Sequence, residues 1–217
     1  MIKYKIGFID EDHLEWERVE RNLRDSFDVI DYNIPQGLSK EDLIEQVYDS
    51  DIDLLMVDYL MCDTGYLNFN GDDFIRDFEK IKPKFPIIIF TTHESDAFPQ
   101  VDNPNIIYDK KLLDDDRPYL VQLITKNIER YRKYISDRKN VIETLLQKRE
   151  EQELSSKEKN TLLESQLELN ILDKRSNEVP LQLIEDKSYN SLSNTTKEAE
   201  AFLESIKKKV QDDSFEK

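Results

Sequence analysis

Four short apolar runs punctuate the first half of the chain, and none of them alternates. Ile6-Gly7-Phe8-Ile9, Leu54-Leu55-Met56-Val57, Pro86 through Phe90, and Ile106-Ile107-Tyr108 are each three to five residues long. A strand wet on one face alternates apolar and polar residues. A strand covered on both faces reads as an unbroken apolar run. Helix-spaced patterns lie between the runs. Asp12 with Glu15 predicts a helix start, followed by Trp16, Val19, Leu23 and Phe27 as one inward stripe. Asp28 through Tyr32 predicts a second strand, at a sheet edge. Ser39 with Asp42 opens another helix, with Leu43 and Val47 inward. Gly71 precedes a third, with Phe74, Ile75, Phe78 and Ile81 inward and Pro83 as its stop. Pro99 and Pro104 interrupt the place of a fourth helix, leaving room for a turn or two near Ser95–Phe98. Strands alternating with helices over short connections predict an α/β fold, a doubly wound five-stranded parallel sheet.

The second half changes character. Asp114 through Pro118 reads as a helix cap with proline in the first turn. From Pro118 to about Leu154 there is no further proline and no glycine. Val121, Ile124, Ile128, Tyr131, Ile135, Ile142 and Leu145 follow a heptad seam, with Arg138 in one seam position. Such a helix is ~55 Å long, more than a sheet of this size needs to cover it. The seam predicts either a homodimer through a coiled coil or a fold-back onto later helices. Ser155 and Glu158 form a capping box for a helix over 156–174, with Leu162, Leu163, Leu167, Leu169 and Leu172 as a broad apolar face. Pro180 breaks the pattern, and 186–194 is polar. Thr195 and Thr196 cap a last helix carrying Ala199, Phe202, Leu203, Ile206 and Val210. The predicted organisation is an α/β domain over 1–117, a long helix over 118–154, a helical module over 155–211 and a tail over 212–217.

Composition narrows the function classes. The chain has 217 residues, 36% of them charged and 38% hydrophobic, with a net charge of −16. Residues 1–117 hold 13 basic and 28 acidic side chains, a net of −15, and residues 118–217 hold 18 and 19, a net of −1. Neither half attracts a polyanion, and no helix-turn-helix or zinc-finger pattern occurs, so no nucleic-acid partner is expected. No run approaches the ~20 apolar residues of a membrane span. Met1 to Lys5 leads straight into a strand rather than a signal peptide. Cys62 is the single cysteine, which fits a reducing, cytoplasmic setting.

In doubly wound sheets the site lies beyond the carboxyl ends of the strands. Here those ends carry Asp10-Glu11-Asp12, Asp58, Thr91 and Lys110. Carboxylates gathered there call for a hard cation, and Mg²⁺ is the one that carboxylates and a phosphate share. A hydroxyl and a lysine beside them suit phosphoryl oxygens. His13 and His93 are the only histidines, too few and too separated in the pattern for an imidazole metal site.

Over about residues 1–117 this arrangement resembles the receiver domain of two-component response regulators. The resemblance implies a flavodoxin-like fold, an acidic pair (Asp10 and Glu11) that binds Mg²⁺, and Asp58 as acceptor of a phosphoryl group from a histidine kinase or phosphotransfer protein. It implies Mg²⁺ coordination by Glu11 and Asp58 directly, Asp10 through water, and the backbone carbonyl of Leu60. Thr91 takes the place of the family's hydroxyl residue. The family lysine falls on Lys110 or Lys111. Lys110-Lys111-Leu112 matches the family pattern with Lys111 where proline is usual, whereas Tyr108, three residues before Lys111, matches the aromatic position of the other register; Lys110 is preferred. The sequence departs from the family in a loop about five residues longer after Asp58, in Cys62 for a usual proline, and in the shortened fourth helix.

The expected function is a phosphoacceptor in signalling rather than an enzyme acting on a separate substrate, with output through helical contacts with a protein effector. The alternative is a receiver-shaped scaffold or adaptor that is never phosphorylated. A hydrolase working through an aspartyl-phosphate needs a second acid two residues after the nucleophile, and Leu60 stands there.

Overall fold

A computed structural model describes residues 3–63 and 65–172. The elements run β1 (Tyr4–Ile9), α1 (His13–Leu23), β2 (Phe27–Ile30), α2 (Lys40–Asp49), β3 (Leu54–Val57), α3 (Gly71–Ile81), β4 (Ile87–Thr91), α4 (Glu94–Ala97), β5 (Ile107–Asp109), α5 (Leu112–Asp115), α6 (Arg117–Glu151) and α7 (Ser156–Leu172). The five strands are parallel, in the order β2-β1-β3-β4-β5. This is the flavodoxin-like form of the doubly wound fold, whose strand order reverses between β1 and β3.

The apolar runs are two-faced, as their lack of alternation predicted. Ile6, Phe8, Leu54, Met56, Ile88 and Phe90 pack with Val19 and Leu23 of α1 and Leu120, Ile124 and Ile128 of α6. Ile9, Leu55, Val57, Ile87 and Ile89 face the other way, onto Leu43 and Val47 of α2 and Phe74 and Phe78 of α3. All these side chains are buried. At about 25 cal/mol per Å² of apolar surface removed from water, they supply most of what holds the two layers to the sheet. Helix starts follow the sequence: Asp12 caps α1 through the N–H of Leu14 at 2.9 Å, and Ser39 caps α2 through the N–H of Asp42 at 3.1 Å.

Three details of the expected stripes are corrected. Phe27 is not part of the α1 stripe; the chain turns after Leu23, with Ser26 N–H bonded to the Leu23 carbonyl at 2.9 Å, and Phe27 opens β2. Ile81, in the last turn of α3, is 42% exposed rather than inward. On α7, Leu162, Leu169 and Leu172 are buried, but Leu167 is 49% exposed, so only one side of that apolar face is covered. The fourth helix is the single turn α4, and a 3-10 turn at Pro104–Ile106 follows it.

The long helix is built in two parts. Its first half is a sheet-covering helix. Leu120, Ile124 and Ile128 lie under β1, β3 and β4; the Arg132 guanidinium pairs with Asp53 at 2.7 Å; and Tyr131 meets the Phe85 ring edge-on. Its second half pairs with α7. Ile142 packs with Leu154, Leu162 and Leu169, flanked by Ile135, Leu145 and Leu146. The turn between them carries the predicted capping box, Ser155 N–H to Glu158 Oε2 at 3.0 Å and Glu158 N–H to Ser155 Oγ at 3.4 Å. Arg138, the charge in the seam, pairs with Glu168 of α7 at 2.9 Å, and Lys84 joins the same carboxylate at 2.8 Å. The seam that suggested a homodimer is therefore covered within one chain, by the sheet and by α7. The expected features beyond Leu172, including the continuation to residue 174, the break at Pro180, the loop at 186–194, the helix over 195–210 and the tail, lie outside the described residues.

Candidate functional site

Four of the expected residues meet at the carboxyl edge of the sheet. Asp58 is the first residue beyond β3, and its N–H is tied to the Ile9 carbonyl at 2.9 Å, so the end of β3 is locked beside the end of β1. Asp10 is the first residue beyond β1. Its Oδ1 accepts the Asp12 N–H at 2.9 Å, which holds the carboxylate at the start of α1. Lys110 leaves β5 with its N–H on the Thr91 carbonyl at 3.1 Å. Its ammonium reaches across the top of β4 to Asp10 Oδ2 at 2.7 Å and lies 3.1 Å from Asp58 Oδ1. All three side chains are less than a tenth exposed. Glu11 completes the group: one carboxylate oxygen each from Asp10, Glu11 and Asp58 lie within 4.8 Å of one another.

The adjacent lysines are separated by this geometry. Lys110 points into the acidic group, whereas the Lys111 side chain is 75% exposed and pairs with Asp109 at 3.5 Å. Tyr108 packs toward α1 and α6, and Ile107 toward the opposite layer.

The electrostatics are those of an underneutralised anionic pocket. Three carboxylates face one ammonium, so the fully ionised group carries two net negative charges. Burial pushes the Asp10 carboxyl above its usual range, although Lys110 opposes this. Glu11 is pushed up to about 7, first by burial and then by the nearby Asp10 and Asp58 charges. Burial pulls the Lys110 ammonium down, but Asp10 and Asp58 outweigh it and hold it above its ordinary value. Two oxygens, Glu11 Oε2 and Asp58 Oδ1, are buried without a hydrogen-bond partner; at Asp58 Oδ1 the lysine is near enough for charge attraction but not aligned to donate. A buried carboxylate oxygen with no donor is costly. A divalent cation answers both the orphaned oxygens and the excess charge, so the residues fit Mg²⁺ with oxygen ligands.

Thr91 is the last residue of β4, fully buried, and β4 lies between the strands that carry Asp58 and Lys110. Its hydroxyl accepts the His93 N–H at 3.1 Å. Thr92 is exposed. Leu60 lies in the loop that leaves β3, its side chain half-buried against the core. That loop is anchored: Tyr59, Met61, Leu67 and Phe69 are all buried. At its far end Gly71 sits so close to the strand end that a Cβ there would be 2.2 Å from the Asp58 carbonyl oxygen. In the sequence Gly71 marks only the start of a helix. A glycine closing the long loop after Asp58 was the available signal for the close approach. His93 lies outside the acidic group and approaches Asp96 at 3.5 Å.

No family model matches this chain, and no curated protein matches it. Among solved structures, it is similar to a response regulator receiver domain protein from Methanospirillum hungatei at 14% identity, over 61% of this chain and 99% of that one, with a TM-score of 0.46. It is also similar to a response regulator from Thermotoga maritima, at 17% identity over 59% and 99% of the two chains, with a TM-score of 0.43. A third similar structure is the signal receiver domain of an HD domain-containing protein from Pseudomonas fluorescens, at 11% identity over 60% and 90%, with a TM-score of 0.47. The doubly wound fold itself is defined by the strand order and by the packing on its two faces.

Proposed function

We propose that the chain is a two-component signalling protein whose Asp58 accepts a phosphoryl group from a histidine kinase or phosphotransfer protein. The observation that carries this reading is the buried group of Asp10, Glu11 and Asp58 around the Lys110 ammonium, with Glu11 Oε2 unpartnered and Asp58 Oδ1 facing only the lysine. Three carboxylates against one ammonium leave a negative excess that either a proton on Glu11 or a further cation relieves.

In this reading Glu11, Asp58 and the Leu60 carbonyl hold Mg²⁺, with Asp10 acting through water. Bound Mg²⁺ supplies charge neutralisation for the phosphoryl oxygens. The chain supplies the rest. An Asp58 carboxylate oxygen attacks phosphorus; the new O–P bond forms as the P–N bond to the donor imidazole breaks, and the imidazole leaves and regains a proton. Phosphoryl transfer asks a protein chiefly for position and charge. The backbone bond from Asp58 to Ile9 fixes the nucleophile, Lys110 follows the developing charge, and the Thr91 hydroxyl donates to a phosphoryl oxygen. The protein is a phosphoacceptor rather than an enzyme with a separate substrate. Its output runs through the α6–α7 hairpin toward a protein effector, because α4, with its single turn, offers little helical surface. A cytoplasmic setting follows from a kinase partner; among the described residues, no helix is long and apolar enough to cross a membrane.

Incubation with acetyl phosphate, followed by intact mass, tests the proposal. One phosphoryl group should appear with Mg²⁺, none with EDTA, and none in Asp58→Ala. Unchanged mass after long incubation would leave the scaffold reading in its place, and labelling that survives Asp58→Ala would overturn Asp58 as the acceptor.

A further inference from the structure

Asn70 occupies the N-cap of α3, where an asparagine ordinarily turns its side-chain oxygen onto the first-turn N–H groups of its own helix. It makes no such bond here. Instead its Oδ1 accepts the N–H of Met61 at 3.2 Å, back across the loop. The next residue, Gly71, donates its own N–H to the Tyr59 carbonyl at 2.8 Å and rests against the Asp58 carbonyl oxygen and the Tyr59 Cα. Two consecutive residues thus grip the backbone on both sides of Leu60. Met61 is fully buried, so its N–H has no exchange with water to fall back on.

The consequence follows from peptide geometry. The Met61 N–H and the Leu60 C=O are the two ends of one planar trans unit, and fixing the direction of one fixes the other. We propose that Asn70 is a positioning residue for the cation site: by holding the Met61 N–H it aims the Leu60 carbonyl at the ion shared with Asp58. This rests on the reading of Asp10, Glu11, Asp58 and Leu60 as a Mg²⁺ site. It also explains why a helix forgoes its own cap. Groups that orient a metal ligand commonly matter 10- to 100-fold in affinity.

The test uses the full chain and Mg²⁺ alone, measured by calorimetry, with thermal melting alongside. Asn70→Ser keeps an excellent N-cap for α3 but is too short to reach Met61. Asn70→Asp keeps an acceptor at the same length. Asn70→Ser should bind Mg²⁺ about tenfold more weakly at an unchanged or higher melting temperature, and Asn70→Asp should recover most of the affinity. Wild-type affinity in Asn70→Ser overturns the inference while leaving the site intact. So does a loss that only tracks a fall in melting temperature. A wild-type protein with no Mg²⁺ binding overturns the reading of the site itself, and the inference with it.

Discussion

Lys110→Met removes the one cation in the buried group while keeping most of its volume. The two contacts it deletes are 2.7 Å to Asp10 and 3.1 Å to Asp58. At an effective dielectric near 20 their gross attraction is about 6 and about 5 kcal/mol. Most of that does not appear as stability, because burying an ammonium costs several kcal/mol and the variant no longer bears that cost. The carboxylates left behind also relieve themselves in part by taking up protons. The net loss should be about 3 kcal/mol, at the lower end of what breaking a buried pair costs. For a folded unit of this size that is a fall of roughly 6–12 °C in melting temperature. Melting followed by circular dichroism in EDTA reads it. The gap between variant and wild type should narrow at acid pH, where the stranded carboxylates are protonated, and widen above neutrality. Mg²⁺ should restore the variant more than it stabilises the wild type. An unchanged melting temperature in EDTA at neutral pH would refute the claim that Lys110 neutralises this group.

Two further outcomes are expected. The folded-state pKa of Glu11 is about 7 against an ordinary 4.5, so the folded chain holds its proton more tightly. The stability this contributes is full below about 4.5 and is lost as pH rises through about 7; Glu11→Gln should flatten that fall, and wild-type Mg²⁺ affinity by calorimetry should rise across the same window. Ile142, 3% exposed at the centre of the α6–α7 contact, should cost about 2–4 kcal/mol of local stability as Ile142→Ala. Hydrogen exchange should show faster opening of α7 and the distal half of α6, with the sheet and Mg²⁺ affinity unchanged; equal loss of protection in β1 and β3 would contradict this.

The strands were legible in the sequence because burial on two faces leaves an unmistakable apolar run, and the site followed from what ends each run. Asp10, Asp58, Thr91 and Lys110 all stand at strand ends in the structure. The choice between Lys110 and Lys111 was legible only as a preference for Lys110, because the Leu112 and Tyr108 signals point to different registers. It is decided by the bond from Lys110 N–H to the Thr91 carbonyl, which sets the register with which β5 ends. The seam of α6 showed its period but not its cover, since Ile124 against a sheet and Ile142 against a helix obey the same spacing. Phe27 kept helical phase with Leu23 although a turn intervenes, because periodicity is blind to a helix end without glycine or proline. Asn70 stands at the N-cap of α3 but bonds to the Met61 N–H instead, a tertiary contact that no local pattern encodes.

The central claim is that Asp58 carries the phosphoryl group. Treating the acetyl phosphate-labelled, Mg²⁺-loaded protein with borohydride reduces an aspartyl phosphate to homoserine, and peptide sequencing then locates it. Homoserine is expected at position 58 and at no other aspartate. Homoserine elsewhere, a phosphate retained on a serine, threonine or histidine, or an unmodified Asp58 peptide from fully labelled protein would contradict it.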